Sequence, residues 1–329
     1  MSGRVSNVWR RRSLGARRHK NSRLLYFVRG LGRLALPGSL HRAIGRSLLA
    51  GLDPLPSALQ ERLDYYYRVP GPFKLPAEAD GLPLRRLRRQ SNYWFDLSEH
   101  LRRAPRGAQV SYRFGDDTDP PTAPTLVKAR TIGEREGTSI LFKLNKGRHY
   151  VFVRDTRAFR EKRDAAVWRG AAHQHHRRKW VADWFGHPCC DIGRTDSRAD
   201  AAPWQRPYLS IDEQLAFKFV LSLEGNDVAT NLKWVLSSNS LCLMPQPTKE
   251  TWFMEGKLEP GVHYVELRPD LADLPEQVAR WSRDSAAAER IIENANRWTQ
   301  QFRDPRVEDQ LCLLVLQRYL ADSGQFGVH

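Results

Sequence analysis

The sequence predicts an α/β protein of two Rossmann-like halves meeting near residues 150–165, preceded by a basic helical extension, and three observations carry that expectation. The second half of the chain alternates short apolar runs with segments of helical period, as βαβ units around a parallel sheet do. The 329 residues are 41% apolar and 27% charged, an ordinary globular composition with room for about two domains. Nowhere do about eighteen apolar residues follow one another, so no segment reads as a bilayer-spanning helix.

The charge is unevenly placed. Twelve of the 53 Lys and Arg residues fall in the first fifty positions, which hold no acid; Asp53 is the first. Of the net +16, the remaining 41 basic and 37 acidic residues account for only +4. A basic arm on a nearly balanced body points to an anionic partner for the arm and away from a molecule coated with phosphate contacts. Four cysteines, Cys189, Cys190, Cys242 and Cys312, make no disulfide framework and favour a reducing compartment. The apolar stretch 24–36 is broken by Arg29 and Arg33 and lacks a small-residue cleavage site, unlike a signal peptide.

Residues 1–22 show no apolar period and read as a solvated arm. Leu24, Phe27, Val28, Leu31 and Leu34 then recur at helical spacing with arginines between them. Such a basic amphipathic helix either packs on its own body or lies on an anionic membrane surface. Prolines bracket a helix over 59–67. The basic run 85–89 and Tyr93-Trp94-Phe95 read as a solvated face beside a core cluster, since no nucleic-acid recognition motif accompanies them. Residues 110–114 alternate as a strand that ends at Gly115-Asp116-Asp117, and strands over 139–144 and 150–153 follow. A helical segment over 159–164 leads to the strand Ala166-Val167-Trp168, which stops at Arg169-Gly170 before a basic helix over 173–184. Beyond it the pattern predicts helix 211–217, strand 219–223, helix 228–236, strand 240–244, a short helix, strand 263–267 and two C-terminal helices. The implied division is an extension over 1–50, an N-terminal half over 51–160 and a C-terminal half over 161–329.

Open parallel sheets bind ligands outside the carboxyl ends of their strands, so the residues after each strand are the candidates. Asp116 and Asp117 stand at a strand tip on a glycine hinge, suited to accept a proton from a hydroxyl; a solvated turn has the same composition. Arg169 and Gly170, with Arg177 and Arg178 in the first turns of the next helix, suit a phosphate, although an exposed basic helix reads the same way. Glu224-Gly225-Asn226-Asp227 forms a glycine turn before a helix, able to cradle a nucleotide with a carboxylate for its ribose; an ordinary capped turn fits equally. Neither a Walker motif nor GxGxxG is present. His173, His175, His176, His187, Cys189 and Cys190 are metal-ligand types, but CxxC and HExxH spacings are missing and no metal is expected. Trp234, Trp252, Trp281 and Trp298 read as packing, with Trp252-Phe253 the pair best placed to stack on a base or sugar.

As an ordered set, the chemistry-bearing stretches resemble one known family. Gly115-Asp116, Lys128-Ala129-Arg130, the run Leu144-Asn145-Lys146-Gly147-Arg148-His149, Val167-Trp168-Arg169-Gly170, Leu223 through Ala229, Leu232-Lys233-Trp234, Trp252 through Glu255 and Asn294-Ala295-Asn296 are its parts. From about residue 114 to 319 the chain resembles glycosyltransferase family 90, which includes lipopolysaccharide-modifying and capsule-associated transferases and eukaryotic protein O-glucosyltransferases. The resemblance implies a GT-B fold, two Rossmann-like domains facing across a cleft. It also implies inverting transfer from a UDP-sugar (glucose, xylose or galactose) to a glycan hydroxyl such as lipopolysaccharide core, with neither metal nor cofactor.

Asp116 matches the family's general base, with Asp117 as the neighbouring alternative. Arg177 and helix N-termini are implied to stabilise the leaving UDP, with Arg169, Gly170, Glu224, Gly225, Asn226, Asp227, Asn231 and Lys233 around the nucleotide. Asn231 stands where other members often carry arginine, and Ala171 where they carry serine. The implied setting is the cytoplasm, peripherally on the inner face of the membrane through residues 1–50, with nucleic acid not an expected partner. The rival reading from another class is a non-catalytic protein that binds nucleic acid or an anionic surface through its basic charge.

Overall fold

A computed structural model describes residues 22–82, 91–134, 137–196 and 203–326. Three helices open the described chain, α1 (Arg23–Ala35), α2 (Gly38–Leu49) and α3 (Ser57–Tyr66). They are followed by β1 (Asp80–Gly81), α4 (Ser91–Leu101) and the short strands β2 (Gln109–Val110), β3 (Tyr112–Arg113), β4 (Thr125–Val127), β5 (Ala129–Thr131) and β6 (Ser139–Leu141). The helical turn α5 (Lys146–His149) closes this half. Its core sheet is β3-β4-β6, with both pairings parallel. Val110, Leu126, Ile140 and Leu141 are fully buried under α3 and α4 residues such as Tyr66 and Leu97.

The second half begins with β7 (Arg163–Gly170), α6 (His175–Trp184), β8 (Cys190–Arg194), α7 (Ile211–Gln214), β9 (Phe217–Leu221), α8 (Leu232–Leu236) and β10 (Leu241–Pro245). It continues through β11 (Lys249–Thr251), β12 (Val265–Leu267), α9 (Leu274–Arg283), α10 (Ser285–Gln300) and α11 (Pro305–Asp322). Five of these strands make one all-parallel sheet in the order β12-β10-β9-β7-β8. This is a doubly wound order that reverses between β7 and β9, and such a switch point opens a crevice at the carboxyl ends of the strands. Burial on both faces explains the apolar strand sequences. Phe219, Leu221, Leu241 and Leu243 pack with Val181, Val278 and Ile291 on one side, and Val167, Val220, Cys242 and Met244 join the core shared with the first half on the other.

Two features tie the halves together. Strand β11 pairs antiparallel with β5, and α11 returns to pack on α2, α3 and α4. Asp304 caps α11 by accepting from the Arg306 and Val307 backbone N–H groups, with Pro305 at the first helical position, where its missing N–H costs nothing. One turn on, buried Glu308 accepts from Arg62 (2.6 Å), Lys143 (2.6 Å) and the Trp252 indole (2.8 Å), joining both halves through one carboxylate.

The alternation of helix and strand is as the sequence predicts, with several differences. Residues 150–153 form no strand and pair with none among the described residues; the Val153 N–H donates to Ser237 Oγ instead. The segment expected to be helical over 159–164 is a single 3-10 turn, Phe159–Glu161, because β7 already begins at Arg163 to pair with Phe217. Strands β1, β4, β5, β8 and β11 were not expected, and three helices rather than two end the chain. The basic run 85–89 and the arm before residue 22 lie outside the described residues.

Candidate active site

Register builds the first wall of the site. Parallel pairing of Tyr112 with Leu126 and Arg113 with Val127 brings the carboxyl ends of β3 and β4 side by side. Gly115 takes a positive φ of 119° that turns the chain after β3, and Asp116 follows. Lys128 follows β4, and its ammonium meets the Asp116 carboxylate directly. The same ammonium lies 2.5 Å from Asp227 Oδ2, in the turn after β9 of the other half. Tyr93, on α4, donates its hydroxyl to Asp116 Oδ1 (3.1 Å) and accepts from the Asn145 amide (3.4 Å). One buried cation is thus shared by two carboxylates from opposite halves. The Lys128 side chain is 2% exposed and that of Asp116 32%, so the carboxylate is the member of the pair that solvent and ligands reach.

These surroundings drive the two aspartates apart. Burial alone would raise the Asp116 carboxyl, but the Lys128 ammonium, with help from Arg148 and the Tyr93 hydroxyl, outweighs it and holds the group below the ordinary carboxylate range. Burial pushes Asp227 upward, the Asp116 charge adds to this, and Lys128 offsets it only in part. Lys128 resists burial because its two carboxylate neighbours keep it charged. His149 is buried, and burial together with the nearby charges of Lys128, Lys233 and Arg148 keeps its imidazole neutral. Neither of its ring nitrogens has a hydrogen-bond partner among the described residues.

The other wall is the switch point between β7 and β9. Arg177, near the start of α6, spans the turns after both strands, donating to the Leu223 (2.5 Å), Glu224 (2.8 Å) and Ala171 (3.1 Å) carbonyls. Burial pulls its pKa down to about 10, and two of the five guanidinium N–H groups remain outside these bonds. Gly225 lies against that guanidinium, where an added Cβ would stand 3.2 Å from Cζ. Glu224 is held by Thr248 and by the Lys249 N–H, and Asn226 accepts from Gln174. Asn231 bridges the Leu221 carbonyl and the Ser222 hydroxyl. Beyond the carboxyl ends of β9, β10 and β12 opens a cavity of about 520 Å³, with Glu224 and Gly225 at its edge and Trp180, Val228, Leu232 and Met244 among its walls.

Other expected residues lie elsewhere. Asp117 turns outward to pair with Arg113 (2.9 Å) and accept from the Asp119 N–H. Arg169 grips Asp191 through two bonds (2.7 and 2.8 Å) and locks β7 to β8, with Gly170 packed on the Trp168 ring. Lys233 is fully buried in an ion pair with Glu255, which itself lines the cavity. Trp252 and Phe253 cannot stack on a ligand: both are fully buried, and Trp252 lies 3.8 Å from the Tyr66 ring. Of the metal-ligand types, His187, Cys189 and Cys190 bring their donor atoms within 4.8 Å of one another, whereas His173 pairs with Asp196 and His176 with the Glu224 carbonyl.

Sequence reasoning took Lys128, Asn145, Arg148 and His149 only as parts of the motifs that carry the resemblance, with no individual role, and Tyr93 as part of a core cluster. Arg148 is exposed and lies within electrostatic reach of both Asp116 and Arg177; its backbone N–H donates to the Asn145 carbonyl, while its guanidinium makes no hydrogen bond or ion pair with the described residues. A lysine inside the apolar run Thr125-Leu126-Val127-Lys128-Ala129 was the available signal, because a buried ammonium requires a partner.

A carboxylate at a cleft opposite a cationic turn beside an apolar cavity suits group transfer, and the family that the chain matches is one of transferases. The family model described as glycosyl transferase family 90 matches residues 147–321. Over 267 residues the chain is 45% identical to the O-glucosyltransferase LpsA of Dichelobacter nodosus, covering 81% of this chain and 84% of that protein. The chain belongs to glycosyl transferase family 90. A shorter match, 34% identical over 89 residues, joins 26% of the chain to 8% of the uncharacterized protein 035R of Invertebrate iridescent virus 3. Membership makes the protein a glycosyltransferase and bears out the resemblance read from its motifs. The family model takes in Arg148, Arg177 and the turn over 224–227, and begins after Asp116 and Lys128. Among the described residues no helix is long and apolar enough to cross a membrane.

Proposed function

We propose that the protein is an inverting glucosyltransferase that moves glucose from UDP-glucose to a hydroxyl of a glycan acceptor of the lipopolysaccharide-core or surface-polysaccharide class. The name of the bacterial relative supports glucose as the sugar. The two parallel sheets, with Asp116 at the edge of one and the switch point of the other facing it, are compatible with a GT-B arrangement. The single observation that carries the reading is Lys128, whose contacts to Asp116 and Asp227 bring a half-exposed carboxylate up to a nucleotide-type turn.

In the proposed step the acceptor oxygen attacks the sugar C1 from the face opposite the diphosphate. Its proton passes to the Asp116 carboxylate while the C1–O bond breaks and the electron pair leaves with UDP. The free N–H groups of Arg177, the exposed Arg148 and the backbone N–H groups of the 224–227 turn would meet the developing diphosphate charge. Both carboxylates of that turn are engaged by protein donors, Glu224 by Thr248 and Lys249 and Asp227 by Lys128, which supports stabilisation by these cations without a divalent ion.

Calorimetric titration with UDP, UDP-glucose, UDP-xylose and UDP-galactose, in EDTA and again with Mn²⁺, tests the reading. Uridine-selective binding that survives EDTA and is tightest for UDP-glucose is expected. Absence of binding by every uridine nucleotide would refute it.

A further inference from the structure

We propose that α1 and α2 form a docking face for an anionic lipid bilayer, seated through the outward stripe Leu24, Val28 and Leu31. Helix α1 carries two apolar stripes, and the protein uses only one. The inner stripe is fastened to α4. Tyr26 donates its hydroxyl to Asp96 (2.7 Å) and to the Asn92 carbonyl (2.9 Å), and its ring and that of Phe27 pack edge-on to Phe95. Gly30 allows that approach, since a Cβ there would meet the Phe95 ring at 2.7 Å. Arg33 pairs with Glu99. Helix α2 is seated as firmly, with Gly45 against the Arg103 carbonyl and the Leu48 carbonyl accepting from Gln310.

What this fastening leaves outside is apolar. Leu24, Val28 and Leu31, at i, i+4 and i+7, are 76%, 56% and 56% exposed. Leu36, at the end of α1, and Leu40 and Ile44 of α2 are exposed as well. Among the described residues, seven of the ten exposed large apolar side chains fall between positions 24 and 44. A scattered surface leucine needs no explanation, whereas a cluster of this kind does.

Charge selects the occupant. Arg29, next to Val28, and Arg46 of α2 are exposed, and the first fifty residues contain no acid to neutralise them. A second copy docked on this face would set like charges against one another, while anionic headgroups satisfy the arginines as the acyl boundary takes the leucines. The position has a consequence for catalysis that rests on the function proposed above. Tyr26 packs on Gly147, next to Arg148, and α4 carries the Tyr93 that holds Asp116. The bilayer would then lie one helix away from the acceptor side of the cleft, suiting an amphiphilic acceptor.

Co-sedimentation of the full chain with vesicles of phosphatidylcholine, with and without phosphatidylglycerol, tests the proposal. At low salt the protein should pellet with the phosphatidylglycerol vesicles and be released by high salt. Val28→Asp with Leu31→Asp should weaken vesicle binding by about tenfold or more, with UDP affinity and melting temperature unchanged. Failure of the wild-type chain to bind anionic vesicles at low salt, or equal binding by the double variant, overturns the proposal. A double variant that converts a dimer to a monomer without altering vesicle binding would assign the face to a second copy and overturn it equally. Vesicle binding does not depend on transfer chemistry: a chain that binds vesicles but no uridine nucleotide would remove the function proposed above and leave this docking face intact.

Discussion

Replacing Lys128 by methionine removes the one ammonium that Asp116 and Asp227 share, and the consequence can be worked out with its sign. In the intact site Asp116 lies below the ordinary carboxylate range, so it stays ionised, and able to accept a proton, down to a pH below that range. The rate should fall only as pH drops through this depressed value. In Lys128→Met burial, which favours the protonated acid, loses its main opponent, and only Arg148 and the Tyr93 hydroxyl still act against it. An opposite charge in contact typically moves a carboxylate by about one to three pH units, and partial exposure of Asp116 argues for the lower half of that interval. The acid limb of the rate profile should therefore move up by about one to two pH units. The assay is UDP release measured across pH at saturating donor and acceptor. Lys128→Arg keeps the charge and should keep the limb low. Removing one member of a buried ionic group typically costs about 3–5 kcal/mol, so Lys128→Met should also melt earlier. Asp227→Asn gives an independent control, because Asp227 lies above the ordinary range and Asp116 below it, so Asp227 is already neutral where Asp116 titrates; its limb should stay in place. An unshifted limb in folded Lys128→Met would refute the assignment of Asp116 as the group that titrates.

Other perturbations report on separate parts of the molecule. Arg177→Ala deletes three charge-assisted bonds to the carbonyls of residues 171, 223 and 224 and should weaken UDP binding by roughly tenfold to a hundredfold in calorimetry, with turnover falling as well. Normal UDP affinity in that variant would exclude Arg177 from the nucleotide site. Glu308→Ala strands Arg62 and Lys143 without their shared carboxylate and should cost about 3–5 kcal/mol, read by calorimetry as a thermal midpoint lower by about 4–7 °C, with no change in donor selectivity.

Periodicity made the second half legible because its strands are buried on both faces and punctuated by turns. Residues 217–221 and 241–245 are apolar almost throughout, and Glu224-Gly225 marks the end of one of them. β8 escaped because Cys190-Asp191-Ile192-Gly193-Arg194 is an edge strand with a single large apolar residue, held by backbone pairing to β7 and by the Arg169–Asp191 grip. Residues 150–153 misled for the opposite reason: Tyr150-Val151-Phe152-Val153 has the composition of a strand but no neighbour to pair with among the described residues. At the site, strand-tip reasoning reached Asp116, Arg177 and the 224–227 turn, each of which follows a strand in its own segment. Lys128 was out of reach because its meaning depends on Asp227, a residue of the other half that only the tertiary fold brings within 2.5 Å. The extension was only half legible. Helical spacing foretold α1, but that one of its two apolar stripes would be fastened to α4 and the other left bare follows from the close contact of Gly30 with Phe95.

The central claim is that Asp116 takes the acceptor proton while the opposite wall holds the donor. Asp116→Asn tests it most directly, with turnover and UDP affinity measured on the same folded preparation. A general base contributes about a hundredfold to ten-thousandfold, so turnover should fall by that factor while UDP affinity stays within a few fold. Near-normal turnover in Asp116→Asn would contradict the account and pass the role to another carboxylate, with Asp117 and Asp227 the next to replace.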